Sequence, residues 1–95
     1  MKVHIIEDEI PAAQKVERFL KRYDEGIEVV GRAMSVKEAV NWIETNGDAD
    51  LLMMDIQLTD GLSFDIFKEV ELDIPVIFTT AYNDYAIDAF KANHL

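Results

Sequence analysis

An open α/β fold built on a parallel sheet is what this sequence predicts, and three observations carry the prediction. Short apolar runs alternate with helix-period segments four times. No long linker separates them. The runs Leu51-Leu52-Met53-Met54 and Val76-Ile77-Phe78 are unbroken by polar residues, as strands buried on both faces are.

Each element has a local reason. Lys2 to Ile6 is a short β-rich run that ends in Glu7-Asp8-Glu9. Pro11 suits the first turn of a helix, where a missing N–H costs nothing. That helix runs to about Tyr23, with Ala12, Val16, Phe19, Leu20 and Tyr23 at helical spacing, and Asp24-Glu25-Gly26 turns the chain. Ile27 to Ala33 is a second strand, but Glu28 and Arg32 interrupt it, which suits an edge. Ser35-Val36-Lys37-Glu38 is a capping box. The helix it starts carries Val36, Ala39, Val40 and Ile43 inward and stops near Asn46-Gly47.

Leu51 to Asp55 is the third strand, followed by a loop, Ile56-Gln57-Leu58-Thr59-Asp60-Gly61. A helix with Phe64, Phe67 and Val70 is expected from there to about Glu71. Pro75 to Thr80 is the fourth strand, and Asn83 or Asp84 caps a last helix with Tyr85, Ala86, Ala89 and Phe90. Right-handed crossovers and the edge character of the second strand give the order 2-1-3-4. This is the flavodoxin-like order, with its switch point between strands one and three.

Composition narrows the function. Ninety-five residues allow one domain, 1–95. The net charge of −10 argues against a nucleic-acid groove and against an anionic membrane surface. With no cysteine there is no disulfide, thiolate metal site or cysteine nucleophile. The N-terminal apolar run stops at Glu7, too short for a signal peptide or membrane span, so a cytoplasmic protein is expected.

The predicted order brings Glu7 and Asp8 beside Asp55 at the crevice where such sheets place their chemistry. Three carboxylates gathered there repel one another, which a cation relieves. An all-oxygen set without His or Cys suits Mg²⁺. Thr80, ending the neighbouring fourth strand, is placed to meet an oxyanion attached to Asp55. His4, inside the first strand, is expected to be a packed core histidine. Tyr82 and Tyr85 are expected either in the core or as partner contacts.

The combination Ile6-Glu7-Asp8-Glu9, Met54-Asp55, Asp60-Gly61 and Thr79-Thr80-Ala81 resembles the receiver domain of two-component response regulators. Ile5-Ile6-Glu7-Asp8-Glu9, Asp55-Ile56-Gln57-Leu58 and Thr80-Ala81-Tyr82 are most similar to receivers of LytTR-type regulators. The resemblance implies that Asp55 accepts a phosphoryl group from a sensor histidine kinase. It implies Mg²⁺ held by Asp8, Asp55 and the backbone carbonyl of Gln57, with Glu7 acting largely through water. Thr80 would hydrogen-bond a phosphoryl oxygen and serve as the switch.

The fifth strand and helix of such receivers, with a lysine and an aromatic switch residue, have no counterpart before Leu95. A chain truncated after its fourth helix, crippled in phosphotransfer, is therefore expected, with DNA binding left to a parent's output domain. The uncovered edge of the fourth strand predicts a homodimer or an exchanged strand or helix. A receiver-shaped interaction module that is never phosphorylated is the alternative reading. A small Mg²⁺-dependent phosphatase is disfavoured: those of the haloacid dehalogenase type need Asp-x-Asp, and Gln57 stands where their acid/base carboxylate would be. The chain is read as a signalling domain and not as an enzyme.

Overall fold

The computed structural model describes residues 1–45 and 47–79. Thr80, Tyr82, Tyr85 and the expected last helix lie outside the described residues, as does Asn46.

Four strands, β1 (Lys2–Ile6), β2 (Glu28–Ala33), β3 (Leu51–Met54) and β6 (Val76–Phe78), form one parallel sheet in the order β2-β1-β3-β6. This is the predicted order, counted over the four strands of the main sheet. Helix α1 (Ile10–Tyr23) covers one face and helix α2 (Val36–Thr45) the other.

The two faces follow from the alternation along β1. Val3 and Ile5 point to the α1 side, where they pack with Ala13 and Ile27 and with half-buried Val16, Leu20 and Met53. Ile6 points to the α2 side, packing with Leu52, Met54, Val36, Ala39 and Ile66. β3 lies between β1 and β6. It buries Leu52 and Met54 completely and leaves Leu51 and Met53 half-buried.

The Ser35 half of the capping box forms, while the return bond reaches one residue further back. The Glu38 N–H donates to Ser35 Oγ at 3.1 Å, and the Glu38 carboxylate accepts from the Met34 N–H at 3.3 Å. At the other end of α2, Gly47 takes φ +57°, the left-handed conformation of a helix C-terminal glycine.

His4 is fully buried on the α2 side. Its ring stacks on Trp42 with centroids 3.8 Å apart and planes 10° from parallel. The β1–β2 register shifts between Val3 and His4, so that His4 lies opposite Gly31. A Cβ at Gly31 would come within 2.9 Å of His4 Nδ1 and 3.3 Å of Trp42 Nε1. Glycine there makes room for the stacked pair.

Two expectations between Asp55 and Pro75 are corrected. The stretch after Asp55 is not an unstructured loop. Residues Gln57–Leu58 (β4) and Gly61–Leu62 (β5) pair antiparallel as a small hairpin. The helix expected from Gly61 to about Glu71 is much shorter, a 3₁₀ turn over Ser63–Asp65 and then α3 (Ile66–Glu69). Val70 is already extended, at φ −137° and ψ 150°. The reason lies in the pattern Val70-Glu71-Leu72-Asp73-Ile74. Its apolar residues alternate with exposed acids, and Val70, Leu72 and Ile74 all pack on the α2-side core. Period-two burial holds this segment out of a helix.

Candidate functional site

β1 and β3 are neighbours and run parallel, so their carboxyl ends open at the same edge of the sheet. Backbone bonds fix both exits. The Asp55 N–H donates to the Ile6 carbonyl at 2.9 Å, continuing the β1–β3 ladder past the last strand residue. The Glu7 N–H donates to the Ala33 carbonyl at 2.9 Å, continuing the ladder to β2. On the far side of β3, the Thr79 N–H donates to the Met54 carbonyl at 2.9 Å. Asp55 therefore emerges between two anchored strand ends.

One carboxylate oxygen from each of Glu7, Asp8 and Asp55 lies within 4.8 Å of the other two. Glu7 is buried, while Asp8 and Asp55 are half-buried. Burial pushes the Glu7 carboxyl up to about 7. Asp8 and Asp55 add to the rise, and the Glu9 N–H, which donates to Glu7 Oε2 at 3.1 Å, opposes it. The donor set is all hard oxygen, half-open to solvent, and carries more negative charge than such a crevice holds comfortably. That chemistry fits a hard divalent cation that retains some of its water, as Mg²⁺ does.

The structure thus brings together three of the five residues named from the sequence. Gln57 lies on β4, one residue past buried Ile56, with an exposed side chain. Thr80 lies outside the described residues.

One residue near the site was not assigned a role from sequence. Asp60, at the tip of the β4–β5 hairpin, accepts the Val36 N–H at 2.7 Å and the Lys37 N–H at 3.1 Å. These are the first donors of α2, and they hold the Asp60 carboxyl below its usual range. Its neighbour Thr59 donates from Oγ1 to the Met34 carbonyl at 3.2 Å. Nothing in the local sequence marks such a cap, because donor and acceptor are far apart in the chain.

A doubly covered parallel sheet with an acidic crevice at its switch point defines the class of this chain. The model of the response regulator receiver domain matches residues 3–94, and the chain belongs to that family. It is 33% identical to the sensory transduction protein LytT of Bacillus anthracis, with all of this chain aligned and 39% of that protein covered. It is 34% identical to the transcriptional regulatory protein NatR of Bacillus subtilis strain 168, over 98% of this chain and 40% of that protein. The chain therefore spans about two fifths of the length of these relatives. Among solved structures it is similar to the response regulator PhyR from Brucella abortus, at 37% identity and a TM-score of 0.72, covering 85% of this chain and 33% of that one. Among the described residues, no helix is long and apolar enough to cross a membrane.

Proposed function

We propose that this receiver domain accepts a phosphoryl group on Asp55 from the phosphohistidine of a sensor histidine kinase. The observation that carries this reading is the gathering of Glu7, Asp8 and Asp55 within 4.8 Å at the ends of β1 and β3. An Asp55 carboxylate oxygen attacks phosphorus, the N–P bond of the donor breaks, and the leaving imidazole takes up a proton. Asp8, Asp55 and the Gln57 carbonyl hold Mg²⁺, and Glu7 acts through water. The ion supplies charge neutralisation and alignment for in-line transfer. Thr80 hydrogen-bonds a phosphoryl oxygen once it is in place. A parent regulator's output domain carries any action on DNA.

Incubation of the chain with Mg²⁺ and phosphoramidate, a small donor with the same N–P bond, tests this directly. The expected product is one hydroxylamine-labile phosphoryl group on Asp55, accumulating slowly and absent when EDTA replaces Mg²⁺. Label on any other residue, or none from either phosphoramidate or a phosphorylated kinase, rules the reading out.

Homodimerisation is the second part of the proposal. β6 stands last in the described sheet order, and Ile77 in its centre is half exposed. An apolar strand edge of this kind recruits another strand. Light scattering at high micromolar concentration is expected to give the mass of a dimer; a monomer mass there refutes it.

A further inference from the structure

The loop that carries Gln57 is a hairpin of two residue pairs, Gln57 with Leu62 and Leu58 with Gly61, closed by Thr59 and Asp60. Such a short ladder is marginal by itself. Its turn is also of an unfavoured kind. Two-residue hairpin loops prefer turns with positive φ at their central positions, and no described residue other than glycine has positive φ. Gly61 takes φ +147°, and a Cβ on it would meet Asp65 Oδ2 at 2.9 Å. The hairpin therefore needs support from outside itself.

That support sits at the tip. Asp60 engages two N–H groups of α2 and Thr59 engages the Met34 carbonyl just before it. The base of the hairpin joins Asp55 through Ile56, whose carbonyl accepts the Ser63 N–H at 2.8 Å. The loop after Asp55 is thus held at both ends, by the sheet at one and by α2 at the other.

We propose that Asp60 is a positioning residue for the acidic crevice: by docking the hairpin tip on the start of α2, it fixes where the Gln57 carbonyl is presented beside Asp55. This rests on the reading of the crevice as a Mg²⁺ and phosphoacceptor site. The competing support is the burial of Ile56 at the base and of Leu58 beside the turn; if that suffices, Asp60 only caps a helix.

The test compares Asp60→Ala and Asp60→Asn with Ser35→Ala. The last removes a different cap from the same helix end, the bond to the Glu38 N–H, and leaves the hairpin contacts alone. Two readouts are taken on the whole chain: amide hydrogen exchange at Ser63, and the Mg²⁺ dissociation constant by titration. Residues that orient a metal site from outside it change affinity by about 10–100-fold when replaced. Asp60→Ala is expected to weaken Mg²⁺ binding by roughly tenfold and to speed exchange at Ser63. Asp60→Asn, which keeps one acceptor oxygen, is expected to fall between it and the wild type. Ser35→Ala is expected to leave both readouts near the wild-type values. Unchanged exchange at Ser63 in Asp60→Ala overturns the positioning role, and so does an equal effect of Ser35→Ala on both readouts. A wild-type chain that binds no Mg²⁺ instead overturns the reading of the crevice itself.

Discussion

Replacing Asp55 by Asn is expected to bring phosphoryl incorporation down to background. The amide keeps the shape of the side chain but has no carboxylate oxygen to attack phosphorus. The fold is expected to survive, because the bond from the Asp55 N–H to the Ile6 carbonyl belongs to the backbone. The same substitution removes one of three mutually repelling carboxylates. Asp55 is among the groups that raise the Glu7 carboxyl, so in Asp55→Asn that carboxyl is expected to titrate lower, nearer the ordinary glutamate range. Phosphoryl labelling and an NMR titration of Glu7, each against wild type, check the two outcomes. Undiminished labelling would place the acceptor elsewhere. An unmoved Glu7 would leave its rise to burial, the largest cause, and to Asp8.

The second large effect concerns acid stability and centres on His4. Neither ring nitrogen of this fully buried residue has a hydrogen-bond partner among the described residues. Burial lowers its pKa from 6.5 to about 4. The sign follows from where the proton goes. Between about pH 6.5 and 4 the unfolded chain binds a proton at His4 and the folded chain does not. The His4 contribution is thus whole above that window and is lost as pH falls through it, by about 3 kcal/mol at the lower end, against an opposite contribution from Glu7, whose raised carboxyl favours the folded state as pH falls. Trp42, stacked on the ring, offers a fluorescence signal for urea unfolding at each pH. His4→Phe keeps an aromatic ring and removes the titration. Its stability is expected to fall less than wild type between pH 6.5 and 4, by about that same amount. Parallel pH profiles for the two proteins would show that other groups cause the acid loss.

Much of the fold was legible because burial period and strand identity agree. β1 was read with its observed boundaries, Lys2 to Ile6, and the charged interruptions at Glu28 and Arg32 marked β2 as the edge. With strand three apolar and short, the order followed, and from the order came the meeting of Glu7, Asp8 and Asp55. What was missed lies between Asp55 and Pro75, where two periods compete. Phe64, Phe67 and Val70 are spaced as on a helix, whereas Val70, Leu72 and Ile74 are spaced as on an extended chain. Packing on the α2-side core decides for the second after Glu69. The hairpin was missed for a different reason. Its two pairs are too few to leave a period in the sequence, and its hold on α2 is a tertiary contact from Asp60 to Val36 and Lys37.

The bulged pairing of β1 with β2 has a bearing on how this sequence can diverge. Gly31 faces the His4 ring, and the His4 ring faces Trp42, so the three positions share one fixed allotment of space. A side chain at 31 is admissible only if the ring at 4 shrinks or the indole at 42 withdraws. Substitutions at these places are therefore coupled rather than additive. A drifting lineage would have to cross that trio in a set order, beginning with the loss of a ring and ending with the glycine.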